Sequence, residues 1–215
     1  STYQQDITGI AVETTYNWNW LVDCLMDAGY PLLLVNSCAV KQYDGKKFTN
    51  DQHDAFHLAH LMRLGILPTG YIYPKAQRAV RDLLRKRSML VRHQTAHTLS
   101  AQSLHTRITG RKASTRVIQG VHAESIYLPS LDDANRQLEM QANLRMIQAL
   151  HQQIVEIEKV VMNQMKLASE FMGLKQVPGI GDILGLTIAL ETGDVRRFAN
   201  AGHYASYCRA VRSAR

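Results

Sequence analysis

At 215 residues the chain is long enough for one or two domains with a real core, and a hydrophobic share of 46% excludes wholesale disorder. Its 25 Lys and Arg against 18 Asp and Glu give a formal charge of +7, which favours polyanionic partners without specifying one. No apolar run approaches the ~20 residues that cross a bilayer, no secretory leader is expected, and the scattered Cys24, Cys38 and Cys208 give no zinc spacing and suggest a reducing compartment.

Residues 7–12 form an apolar run that predicts a buried strand, ended by Glu13. Residues 16–28 predict a helix with Trp20, Leu21, Cys24, Leu25 and Ala28 on its apolar face and Gly29 as its stop. A second short apolar run at 31–35 predicts another strand, which turns out at Asn36-Ser37. A polar loop is expected over 40–48, followed by a helix over 51–64 with Ala55, Leu58, Ala59 and Met62 facing inward and Gly65 closing it. Strand, helix, strand, helix indicates an α/β unit, and two strands predict only a partial sheet.

After Pro68, Gly70 and Pro74 the character changes. Residues 75–108 lack Gly and Pro and predict one long helix, in which Lys75, Arg78, Arg81, Arg85, Lys86, Arg87, Arg92 and Arg107 face a single acid, Asp82. Arg78, Arg81, Arg85 and Arg92 fall on one helical stripe. A softer stretch at 110–129 leads to a second long helix over 131–172, where Ile147, Leu150, Ile154, Ile157 and Val161 form a short coiled-coil seam. The two helices predict an antiparallel pair or a dimerising arm. Val177-Pro178-Gly179-Ile180-Gly181 then resembles a helix-hairpin-helix turn, where small residues admit a phosphate to backbone N–H groups. Helices over 183–190 and 201–210 complete the chain, making it mostly α overall.

Asp51 and Asp54 are three residues apart at the head of a helix, so their carboxylates share a face. Helix-start acids ordinarily complement the macrodipole by ~0.3–1 kcal/mol each, with Thr49 or Asn50 as cap. Glu13 shifts that balance, because an acid closing an apolar strand is poorly explained by solvation. Carboxylates on a strand end and a helix start are the parts of a divalent-metal site for phosphodiester chemistry, and Mg²⁺ suits oxygen ligands. His53 and His57 have a zinc-compatible spacing, but no Glu follows His53, and ordinary histidines are the simpler account, with His57 a candidate neighbour of the acids. The arginine stripe repels itself and calls for a counter-charge, which favours nucleic-acid contact over a solvated face. Trp18, Trp20, Tyr71 and Tyr73 are candidate stacking residues, although core packing suits Trp20 better. Phosphate contact at Gly179 and Gly181 competes evenly with a plain helix-linking turn. No nucleophilic Ser or Cys stands out.

Val12 to Trp18, Thr49-Asn50-Asp51-Gln52-His53-Asp54-Ala55 with Leu58-Ala59, Leu67-Pro68, and Tyr71-Ile72-Tyr73-Pro74 together resemble the DEDD transposases of bacterial insertion sequences (the IS-one-ten class and its eleven-eleven subgroup, related to the pilin-gene invertase). Val177 to Gly181, Glu191-Thr192-Gly193-Asp194, Arg197-Phe198 and Tyr204 to Cys208 resemble that family's second domain. The resemblance implies a partial RuvC-like, RNase H-like domain over 1–72, a long-helix, coiled-coil region over 73–172, and the start of a helical C-terminal domain over 173–215. Glu13, Asp51 and Asp54 match the last three acids of the family set, whereas Asp6 does not occupy the place of the first. The family's serine is expected beyond Arg215, and Ser213 does not inherit its role. A fragment lacking both ends, inactive or nearly so alone, is therefore expected. The resemblance further implies Mg²⁺, DNA as substrate, in some members a structured guide RNA, homo-oligomers through the long helices, and a cytoplasmic, nucleoid-associated setting. The competing reading is a non-catalytic, basic, dimerising nucleic-acid-binding module whose acids only cap a helix.

Overall fold

The computed structural model describes residues 6–14, 18–40, 50–164 and 169–210. The chain is mostly helical and divides into two compact units, Ser1–Lys75 and Ala76–Arg215.

The first unit is a βαβ crossover followed by a helix. Strands β1 (Ile10–Glu13) and β2 (Leu32–Val35) pair in parallel, with Ile10 opposite Leu32 and Glu13 opposite Val35. Parallel neighbours need a crossover, and helix α1 (Trp18–Asp27) supplies it. The strand expected over 7–12 is thus shifted toward its C-terminal end and takes in Glu13. On the far side of β2, Asn36 N donates to Pro68 O at 2.9 Å and Gly70 N to Leu34 O at 2.7 Å. Helix α2 (Asp51–Arg63) contributes Leu58 to a core with Val35, Val40 and Leu67, and Ala11, Leu61 and Met62 pack around it. Gly65 ends that helix at φ +68°, a left-handed turn that glycine adopts without strain.

The inward face of α1 differs from the expected one. Trp20 is 68% exposed and Cys24 and Ala28 are exposed, while Val22 is fully buried, flanked by half-buried Trp18, Leu21 and Leu25. Leu21 and Leu25 of the expected face are partly covered, and Val22 beside them takes the buried centre. Burial therefore does not account for Trp20.

The second unit is built on an antiparallel helical hairpin of α3 (Lys75–Thr109) and α6 (Ala134–Gln164). Pairings along it run in opposite directions: Arg87 with Glu158, Gln94 with Ile147 O, His97 with Asn143, and Arg107 with Glu139. Ile147, Leu150, Ile154 and Val161 of the predicted seam are buried within this unit. Helix 131–172 is in fact described in two pieces, α6 and, after 165–168, which lie outside the described residues, α7 (Ser169–Leu174). The stretch over 110–129 is more ordered than its composition suggests. It forms α4 (Thr115–Ile118) and α5 (Ala123–Tyr127), then a 3-10 turn at Leu128–Ser130. Ala113, Ile118, Ala123 and Tyr127 from this stretch close a core with Leu104, Met140, Leu144 and Ile147. At the opposite end, α8 (Asp182–Thr192) sets Leu186 and Leu190 against Leu84, Val161 and Phe171. The last helix, α9, runs over Ala201–Tyr207. No described helix is long and apolar enough to cross a membrane.

Candidate functional site

The carboxylates singled out by the sequence belong to one cavity of the first unit. Its volume is about 530 Å³, and Glu13, Asp51 and Asp54 line it together with Gly9, Ala55 and Leu58. Local rules place each of them. Glu13 is the last residue of β1, opposite Val35. Asn50 caps α2 by accepting the His53 N–H on its side-chain oxygen at 2.8 Å, which sets Asp51 at the first helical position. Asp54 lies one turn N-terminal to buried Leu58 on the same stripe and is half-buried. The cap is thus Asn50 of the two candidates, Thr49 lying outside the described residues. His53 is exposed and His57 half-buried beside this helix face.

Its three carboxylates offer oxygen, the donor chemistry that Mg²⁺ prefers, while the rest of the lining, Ile7, Ile10, Ala11 and Met62 among it, is apolar. Among the described residues, however, no group of three or more His, Cys, Asp or Glu is gathered closely enough to hold a metal ion as placed. The acids share a cavity wall without converging on one point.

The arginine stripe has a second character that periodicity did not reveal. Arg81 and Arg85 both grip Glu191 near the end of α8. Arg81 Nη2 lies 2.9 Å and Arg85 Nη2 2.9 Å from Glu191 Oε2, and Arg85 Nε reaches Oε1. An acid near a helix C-terminus opposes the macrodipole, and two guanidinium groups offset that penalty. Partial burial pushes the Glu191 carboxyl up, but the Arg85 hydrogen bonds and the charges of Arg81 and Arg85 together hold it below the ordinary carboxylate range. Arg87 is likewise bound to Glu158, with Nη2 2.7 Å from Oε1. Arg78 is half-buried and Arg92 exposed. No signal in the sequence marked Glu191 as their partner, because more than a hundred residues separate them.

Gly179 and Gly181 lie in the turn between α7 and α8. Gly179 takes φ +90°, and Gly181 precedes the first residue of α8 in extended backbone. Lys175 Nζ and Asp182 Oδ1 close across this turn at 2.7 Å. Beyond it, the Arg197 guanidinium stacks 4.3 Å from the Phe198 ring centre and 4.6 Å from that of Tyr207. Ser213 lies outside the described residues.

A cavity with three carboxylates in its wall in one unit and an arginine-rich helix in the other suit a protein that handles nucleic acid, and two sequence-family models define the class as transposases. One, DEDD_Tnp_IS110, described as a transposase, matches residues 1–108, and the other, described as the Transposase IS116/IS110/IS902 family, matches residues 173–215. The chain belongs to the IS110 family of transposases. No curated protein matches it.

Proposed function

We propose that the chain belongs to a DEDD transposase that cuts and rejoins DNA during movement of an insertion sequence, with Glu13, Asp51 and Asp54 as its catalytic acids. The observation that carries this reading is that these three acids, from a strand and a helix separated in sequence, line one cavity. In this proposal they hold Mg²⁺ in an RNase H-like, RuvC-like site of which β1, β2 and α2 are part. When bound, such an ion polarises a phosphoryl oxygen and stabilises charge on the attacking and leaving oxygens. The chain's own contribution is to present carboxylates from a strand end and a capped helix, so that their spacing is set by backbone packing. The eleven-eleven subgroup, guide-RNA binding, oligomers built through the long helices and a nucleoid-associated setting belong to the same proposal. So does phosphate contact by Arg78, Arg81, Arg85, Arg92, Gly179 and Gly181, with Arg81 and Arg85 sharing the Glu191 carboxylate.

Asp51→Asn with Asp54→Asn tests the proposal. We expect calorimetric Mn²⁺ binding and Mg²⁺-dependent DNA cleavage by the full-length transposase both to be abolished, with its circular dichroism unchanged. Retained metal binding and cleavage would refute the assignment. A second reading is favoured by one observation, the lack of a gathered three-ligand group among the described residues. In that reading the acids only cap α2 and the protein is a basic, dimerising nucleic-acid-binding module. It requires DNA binding to survive the double substitution and metal binding to be absent in the unmodified protein as well.

A further inference from the structure

Between Asp82 and Glu124 the chain contains no acid, and the end of α3 lies within this interval; α6 begins beside Asp132, which pairs with Arg136, and Asp133, which accepts the Asn135 and Arg136 N–H groups. Arg107, Arg111, Lys112 and Arg116 cluster there around the end of α3. Arg107 reaches Glu139 only at 4.0 Å, and both side chains are largely exposed. Arg111, Lys112 and Arg116 are exposed and make no ion pair among the described residues. The nearby Glu124 is turned to Arg145, 3.4 Å away. The contrast with Arg81, Arg85 and Arg87, each bound to a carboxylate, is internal to one helix and the turn that follows it.

The turn carrying these cations is held firmly. Gly110 ends α3 at φ +69°, with its N–H on Thr106 O at 2.9 Å. His105 Nδ1 lies 3.0 Å from Arg111 O. Gln102 Nε2 donates both to Ala113 O at 3.1 Å and to Thr115 Oγ1 at 2.9 Å. Arg111 N donates to Thr109 Oγ1 at 3.2 Å, and Ala113 and Ile118 are buried on either side. The backbone of the turn is therefore fixed while its long cationic side chains stand in solvent. A cavity of about 430 Å³ opens beside them, lined by Arg107 and Lys112 with Gln102, Ser103 and Thr106, and those three add neutral hydrogen-bonding groups.

Four like charges in and around a fixed turn repel one another, and water screens that repulsion without neutralising it. A row of phosphates would compensate them at little ordering cost, because the turn is already rigid. The cavity lining holds no aromatic ring on which an unpaired base could stack, which disfavours single strands. Arg, Lys, Ser, Thr and Gln are the side chains that position a duplex through its backbone without reading bases.

We propose that the tip of the α3–α6 hairpin is a second DNA-binding surface, on which Arg111, Lys112 and Arg116, with Arg107, hold the phosphate backbone of duplex DNA. This rests on the transposase reading, and the test separates the two. The protein is titrated with a fluorescent duplex of about 30 base pairs, a length chosen so that backbone contacts on the order of ten fit along it, across a series of salt concentrations. A triple variant, Arg111→Gln, Lys112→Gln and Arg116→Gln, is compared with one losing the same charge at Lys75, Lys175 and Arg196, each of which is paired with an acid away from the tip. We expect the tip variant to bind roughly tenfold or more weakly, with a log–log salt slope shallower by about 2–3, since each lost phosphate contact removes ~0.9. The control variant is expected to keep the original slope, and circular dichroism is expected to match for all three proteins. Equal slopes for the tip and control variants would overturn the tip assignment and leave the transposase reading intact. Failure of the unmodified protein to bind any duplex DNA would overturn both. Displacement of the DNA by a tenfold lower concentration of duplex RNA, lost in the tip variant, would overturn DNA as the occupant.

Discussion

Glu191 shows how much one side chain can decide. It sits near the helix end where a negative charge is least welcome, yet it joins α8 to α3 through Arg81, whose side chain is only 14% exposed, and Arg85. Replacing it with Gln leaves a mostly buried guanidinium without its counter-charge. With allowance for solvent around Arg85, the expected cost at neutral pH is about 1–2 kcal/mol. The folded-state pKa of Glu191 is lowered, so the unfolded chain holds its proton more tightly. The stabilisation is then complete above the unfolded value of about 4.3 and fades as pH falls through the lower folded value. Thermal melts at pH 7 and pH 3 should show Glu191→Gln well below the unmodified protein at the first and by a smaller margin at the second. An equal difference at both would remove the charge from the explanation. The sequence displayed the arginines in their stripe but not this pairing, since a contact across 110 residues leaves no local trace.

Helix α2 shows an element determined by its own residues. Asn50, the early acids and Gly65 are all local signals, and cap, first turn and stop fall where they predict. Asn50→Ala is expected to cost about 1 kcal/mol, whereas Asn50→Asp should retain the cap. Guanidinium denaturation of the three proteins checks this, and an unchanged midpoint for Ala would mean that packing alone positions Asp51 and Asp54. Helix α1 behaved otherwise. Its apolar face was read through Trp20, whereas the folded chain buries Val22 and leaves Trp20 exposed. The strap over 110–129 was also illegible, because pieces as short as α4 and α5 are too brief to show a period and are held by packing against α3 and α6.

In the molecule as a whole, the long hairpin carries the hydrophobic burial of the second unit. Ile147 is completely buried in its core while the neighbouring Met146 is exposed. Ile147→Ala is expected to cost about 2–5 kcal/mol by leaving a cavity, and Met146→Ala to stay within about 0.5 kcal/mol. Both should melt independently of protein concentration if the seam is filled from inside one chain. A melting point for Ile147→Ala that rises with concentration would make the seam an interface between copies. The sequence by itself determined the two strands and the long helices, narrowed the cap of α2 to Thr49 or Asn50 and put the three acids at a strand end and a helix start, because propensity, periodicity and capping act over one or two turns. Only the tertiary structure decided which residues of α1 are buried, that the seam packs within one unit, and that Arg81, Arg85 and Arg87 are bound to carboxylates while Arg111, Lys112 and Arg116 make no ion pair among the described residues. Those outcomes depend on which distant groups the folded chain brings together, and a one-dimensional pattern carries no record of that.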